Sequence, residues 1–199
     1  MKEKTLTEAQ VQKAALAEGL EYAALKAVAL VESGPLGGFL AGGEPVILFE
    51  GHVFWRELRM RGLDPARLEK GHEDILFPTW DRAKYGPVAA QHGRLRRAAA
   101  LHREAALSSA SWGLFQIMGF NWRLCGFESL QKFINAMYRD EAAHLEAFLG
   151  FLKGTGLMAA LRARDWPALA RGYNGPGYAA NQYDIRLAQA YQKAAEVKT

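Results

Sequence analysis

Residues 21–35 read Glu-Tyr-Ala-Ala-Leu-Lys-Ala-Val-Ala-Leu-Val-Glu-Ser-Gly-Pro. Leu25, Val28 and the alanines and leucines around them recur at helical spacing, which predicts a helix from about Glu21 to Ser33. Gly34 and Pro35 end it, because neither continues a helix well. Glu32 therefore closes an otherwise apolar helix, on the same stripe as Val28 and Leu25. Burial there disfavours the charged carboxylate. The negative end of the helix dipole disfavours it too. The plainer reading of Glu32 is an exposed residue at a fraying helix end.

Working outward, most of the chain is helical. Thr5-Leu6-Thr7-Glu8 has the spacing of a capping box, followed by a helix to about Glu18 with Gly19 as its stop. Gly34 to Gly43 is a glycine-rich loop, and Pro45 to Phe49 is a short β-type run. A helical pattern covers Gly51 to Arg61. Gly62 to Gly93 is irregular, broken by Pro65, Pro78 and Pro87. Helices are expected at about Arg94–Leu107, Leu130–Phe151, Leu157–Arg162, Trp166–Tyr173 and Tyr183–Glu196. Ser108 to Gly119 reads as a small-residue loop, and Asn174 to Gly177 as a turn. With no repeat and no linker, a single mainly α domain with a small β element is expected over the whole chain.

Composition narrows the class. The chain has 199 residues, half of them hydrophobic and 23% charged, which excludes a disordered or fibrous protein. Its net charge is +4, so an acidic partner is favoured but not named. Cys125 is the single cysteine, so an internal disulfide and a Cys/His zinc framework are both excluded. Cys125 has no obvious base partner and reads as a small buried hydrophobe. His52, His72, His92, His102 and His144 are scattered without metal-ligand spacing, and no phosphate-cradling loop is present, so neither metal nor cofactor is expected. The best apolar run, Ala27 to Val31, is too short to span a bilayer. Met1 to Glu8 does not read as a signal peptide, so export is expected to depend on another agent or on cell lysis.

Three stretches could carry chemistry. A Glu32 that stays protonated near neutral pH is what a general acid requires. In Ser109-Ala110-Ser111-Trp112-Gly113-Leu114-Phe115-Gln116-Ile117-Met118-Gly119, small residues permit close approach of a ligand. Trp112 offers an apolar face there, and Ser111 and Gln116 offer hydrogen bonds, a mixture that suits a sugar. Its plainer reading is a tight junction with Leu114, Ile117 and Met118 in the core. Tyr173-Asn174-Gly175-Pro176-Gly177-Tyr178, followed by Asn181, Tyr183 and Asp184, offers groups that bind amides and hydroxyls, or simply a turn capped by Asn174.

Taken in order, Glu32-Ser33-Gly34, the Trp112–Met118 segment and Tyr173-Asn174-Gly175 resemble the lysozyme superfamily, close to goose-type lysozymes and soluble lytic transglycosylases. Ile47-Leu48-Phe49-Glu50-Gly51-His52-Val53-Phe54 narrows the likeness to the N-acetylmuramidases of phage endolysins. The resemblance implies a lysozyme-like fold and a substrate, the β-1,4 bond between N-acetylmuramic acid and N-acetylglucosamine in bacterial peptidoglycan. It implies Glu32 as general acid. Ser111, Gln116, Met118, Tyr173, Asn174 and Tyr178 are then the expected substrate-binding residues. Glu50 is the candidate second carboxylate, against the alternative that it caps the helix starting near Gly51. A transglycosylase, in which the sugar's own C6 hydroxyl closes on the anomeric carbon, needs no second carboxylate. A wall-binding module that kept the fold without catalysis is a further alternative. The resemblance also implies a phage-lysis setting, with a monomeric enzyme held in the host cytoplasm until a pore opens. No separate peptidoglycan-binding domain is expected.

Between Arg82 and Arg103 lie Arg82, Lys84, Arg94, Arg96, Arg97 and Arg103 and no acid. The plain reading is a solvated helix face. The functional one is salt-sensitive attraction to an anionic cell envelope. Nucleic acid is not expected, because the run lacks a recognition motif and an aromatic ladder.

Overall fold

A computed structural model describes residues 4–32 and 37–196. The expected helix stop at Gly34 and Pro35, and Ser33 of the Glu-Ser pair, lie outside the described residues, as do Met1 to Glu3. Ten α-helices and a three-stranded sheet make up the fold among the described residues. They run α1 (Glu8–Glu18), α2 (Tyr22–Glu32), β1 (Ile47–Phe49), α3 (Gly51–Met60), α4 (Ala66–Glu69), α5 (Gln91–Ser108), β2 (Ala110–Trp112), β3 (Ile117–Met118), α6 (Leu130–Arg139), α7 (Glu141–Gly154), α8 (Met158–Ala163), α9 (Trp166–Asn174) and α10 (Tyr183–Glu196).

The central helix α2 buries Ala24, Leu25 and Val28, as its apolar spacing predicts. It packs most extensively against α10, and also against α1 and α8. The core continues through Phe49, Phe54, Phe115, Phe133 and Phe148, all fully buried. Phe115 and Phe148 stack with ring centroids 4.5 Å apart.

Four local expectations are corrected. The capping box is formed by Thr7 and Gln10, not Thr5 and Glu8: the Thr7 side chain accepts from the Gln10 N–H, and the Gln10 side chain accepts from the Thr7 N–H at 2.8 Å. The helix expected over Leu130–Phe151 is two helices. Asp140 adopts an extended backbone (φ −169°, ψ 169°) and its carboxylate accepts from the Ala143 N–H at 2.8 Å, so it starts α7 as an N-cap. Helix α5 kinks at His102 (φ −161°, ψ 101°), whose Nδ1 accepts from the Ala105 N–H and caps the second segment.

The fourth correction bears on function. The stretch read as a small-residue loop is a β-hairpin, antiparallel with β1 and in the order β1-β2-β3. Trp112 is no sugar platform. It is 1% exposed, and its indole N–H donates to Leu107 O at 3.1 Å. Gly119 has to be glycine: a Cβ there would lie 2.1 Å from the Leu107 carbonyl oxygen.

Candidate active site

Glu32 stands at the end of α2 and lines a cavity of about 330 Å³. The other described residues around it are Val31, Asn174, Tyr178, Asn181, Tyr183 and Arg186. Burial raises the Glu32 pKa above its ordinary value of 4.5; a hydrogen bond from Tyr183 and the charge of Arg186 pull the other way without reversing it. The Tyr183 hydroxyl donates to Glu32 Oε1, and the Asn174 side chain lines the same cavity. Arg186 Nη2 donates to Val31 O at 3.3 Å, tying α10 to the last turn of α2. This is one carboxyl whose proton is held more tightly than usual, among polar groups that can hold hydroxyls and amides, the arrangement of a general acid.

The resemblance matches Tyr173 and Asn174 to the turn that contacts substrate or Glu32. The tyrosine bonded to Glu32 is instead Tyr183, while the Tyr173 hydroxyl donates to Phe115 O in the β2–β3 loop. The two rings lie 6.4 Å apart, so Tyr173 connects the acid's surroundings to the hairpin. Phe148 and Phe151 hold the Tyr173 ring edge-on at 5.3 and 5.9 Å. Tyr183 was noted only as a residue following that turn, not as the partner of Glu32, and Arg186 was missed. Their signal was an i,i+3 pair in the first turns of α10, which puts both on one face.

In the hairpin, Ser111 is buried and its hydroxyl donates to Gln116 Oε1 at 2.8 Å. Gln116 is exposed and left-handed (φ 46°), and its amide nitrogen donates to Gly113 O at 2.8 Å. Ser111 thus fixes Gln116, and Gln116 holds an unfavourable backbone through its own side chain. Met118 is half-buried opposite Ser111.

His144, on α7, underpins this loop. Its Nδ1 accepts from the Leu114 N–H at 3.0 Å and its Nε2–H donates to Met137 O at 2.8 Å. The bond to Nδ1 needs the neutral ring, and burial lowers its pKa accordingly. Beside it, the Glu141 carboxylate accepts from Gly38 N at 2.7 Å and Leu6 N at 2.8 Å, tying the residue before α1's cap to Gly38.

Glu50 is not among the residues around Glu32. It occupies the N-cap position of α3 but makes no capping bond with its side chain. Its carboxylate accepts from the Tyr85 hydroxyl and lies 3.4 Å from His52 Nδ1. The structure therefore brings Glu32, Asn174 and Tyr178 together, sets Ser111, Gln116 and Met118 on the hairpin that Tyr173 links to Tyr183, and puts Glu50 in another cluster.

The basic stretch is not a uniform solvated face. Arg94 is buried and donates to Phe49 O, Tyr85 O and Asp74 O at 3.0, 3.0 and 2.8 Å. Arg97 pairs with Asp74 at 2.6 Å. Arg82, Arg96 and Arg103 are exposed. Cys125 is buried, which pushes its thiol up to about 12. Among the described residues, no three His, Cys, Asp or Glu side chains group as metal ligands, and no helix is long and apolar enough to cross a membrane.

A helical domain with a small sheet, carrying a raised-pKa carboxyl at a helix end in a polar cavity, defines a lysozyme-like glycosidase. The chain belongs to the N-acetylmuramidase family, which it matches over residues 21–195. It is accordingly a glycoside hydrolase that acts on peptidoglycan. A solved structure, the endolysin of Burkholderia phage AP3, superposes with a TM-score of 0.89 at 37% identity, over 97% of this chain and 73% of that one. No curated protein matches the chain.

Proposed function

We propose that this chain is a phage endolysin that hydrolyses the β-1,4 bond between N-acetylmuramic acid and N-acetylglucosamine, with Glu32 as general acid. The observation that supports this reading most is the raised pKa of Glu32 in a cavity lined by hydrogen-bonding groups. The Glu32 carboxyl gives its proton to the glycosidic oxygen. The bond to the anomeric carbon breaks and positive charge develops there. Water adds to that carbon, and its proton returns to Glu32. Asn174 and Tyr178 hold sugar hydroxyls and acetamido groups on one wall; Gln116 and Met118 form the other. Ser111 and Tyr173 position that second wall.

Glycosidases ordinarily use two carboxyl groups about 5–9.5 Å apart. Glu32 is the one carboxyl among the described residues around the cavity. We therefore assign stabilisation of the anomeric charge to a group of the substrate rather than to Glu50. In the setting proposed, one catalytic unit acts as a monomer, waits in the host cytoplasm, and reaches the wall at lysis.

Tyr183→Phe tests the acid directly. The Tyr183 hydrogen bond favours the charged form of Glu32, so its loss raises the Glu32 pKa further. A general acid fails as pH rises through its pKa, so the alkaline limb of the rate profile moves to higher pH in the variant. The pH dependence of peptidoglycan cleavage reads this; an unmoved limb removes Glu32 from the acid role.

The exposed cations Arg82, Arg96 and Arg103 are assigned to attraction towards the anionic envelope, without stable membrane insertion and without nucleic acid. Their joint replacement by Ala is expected to slow lysis several-fold at low salt and little near 1 M salt, where the screening length falls to about 3 Å. Equal slowing at both salts, measured by turbidity of a cell suspension, contradicts the assignment.

A further inference from the structure

Trp80 is the one tryptophan of five that is left mostly exposed, at 63%. A lone exposed apolar side chain is ordinary, but this one packs on a tyrosine that meets a carboxylate and an imidazole. It is also held in place. Its ring packs against that of Tyr85, with centroids 6.3 Å apart and the planes tilted by 50°. The Tyr85 hydroxyl donates to Glu50 Oε2 and lies 3.2 Å from His52 Nδ1.

The support beneath this group is rigid. The Tyr85 carbonyl accepts from Gln91 Nε2 at 2.6 Å and Arg94 Nη1 at 3.0 Å. The same Arg94 nitrogen reaches Phe49 O at 3.0 Å, and the Phe49 N–H donates to Gln91 Oε1 at 3.1 Å. Tyr85 is thereby pinned to the end of β1, and Trp80 packs on its ring. The Glu50 and His52 side chains still reach solvent, at 20% and 28% exposure.

A presented aromatic face beside a carboxylate and an imidazole is suited to a sugar ring: C–H groups stack on the indole, and hydroxyls donate to the carboxylate. The group stands away from the Gln116 wall. Gln116 bonds Val46 O at the start of the sheet, and the strand from Val46 to Glu50 spans about 13 Å at its usual rise.

We infer that Trp80, Tyr85, Glu50 and His52 form a second carbohydrate subsite, which takes one N-acetylhexosamine ring of the glycan strand away from the bond being cleaved. This rests on the reading of the chain as a peptidoglycan glycosidase. The subsite holds the strand, and Glu50 accepts a sugar hydroxyl there.

The test is co-sedimentation of Glu32→Gln protein with purified sacculi, with and without Trp80→Ala. An exposed side chain contributes little to folding, so the melting temperature should stay within a degree or two while affinity falls on the order of tenfold. In the active background, Glu50→Gln should raise KM more than it lowers kcat. Undiminished binding by Trp80→Ala overturns the subsite. So does a fall in kcat for Glu50→Gln as deep as that for Glu32→Gln, which would make Glu50 the second carboxylate. Trp80-dependent binding by a wild-type protein that cuts nothing upholds the subsite and overturns the proposed function instead.

Discussion

Glu32→Gln is expected to fold normally and to lose peptidoglycan cleavage by on the order of 10³-fold or more, as removal of a general acid does. The amide keeps the shape of the carboxyl and can still accept from Tyr183, but has no acidic proton to give. The variant should also melt higher than wild type near neutral pH. Glu32 has a folded pKa raised above 4.5, so its stabilising contribution is present below that value and is lost as pH rises through the folded pKa. The Tm difference between variant and wild type should therefore open above about pH 4.5 and close below it. Inactivity together with this pH-dependent gain marks a group placed for catalysis at the expense of stability. Substantial remaining activity would remove Glu32 from the mechanism.

Gly113→Ala is expected to destabilise the hairpin strongly. Gly113 has φ +69°, and a Cβ there would lie 2.7 Å from the His144 ring. The left-handed backbone costs a side chain about 1–2 kcal/mol. Overpacking against a fixed ring costs about 1–3 kcal/mol more. A total near 3 kcal/mol corresponds to a fall in Tm of about 6–12 °C for a chain of this size. Function should suffer too, because His144 holds the Leu114 N–H and the same turn carries Gln116. Calorimetry with a parallel lysis assay reads both. An unchanged Tm would show that His144 moves aside freely, and would contradict its role as a fixed support.

The parts of the fold set by local periodicity were readable from the chain. Leu25, Val28 and Glu32 do share a stripe, and α2 and α10 have nearly the bounds expected. Asp140 shows what periodicity misses. The apolar pattern runs on through Arg139-Asp140-Glu141, and only the capping chemistry of an aspartate interrupts it. The hairpin was missed because its strands are three and two residues long and buried, so no alternation shows. Trp112 and Ser111 were taken for surface groups because small neighbours suggested an open loop; the sheet turns them inward.

The site was legible where one residue carries the chemistry and obscure where partners come from afar. Glu32 stands out by itself. Tyr183 reaches it across 151 residues, and no short-range rule links them. Arg94 likewise looks like one basic residue among several until its bonds to Phe49, Tyr85 and Asp74 are seen. Charge runs in sequence carry no record of which members are buried.

Mass spectrometry of the soluble fragments released from purified peptidoglycan, beside the Glu32→Gln protein, tests the central claim most directly. The account predicts fragments with a reducing N-acetylmuramic acid end from wild type and none from the variant. Fragments with a 1,6-anhydro end, equal release by the variant, or no release by folded wild-type protein would each contradict it.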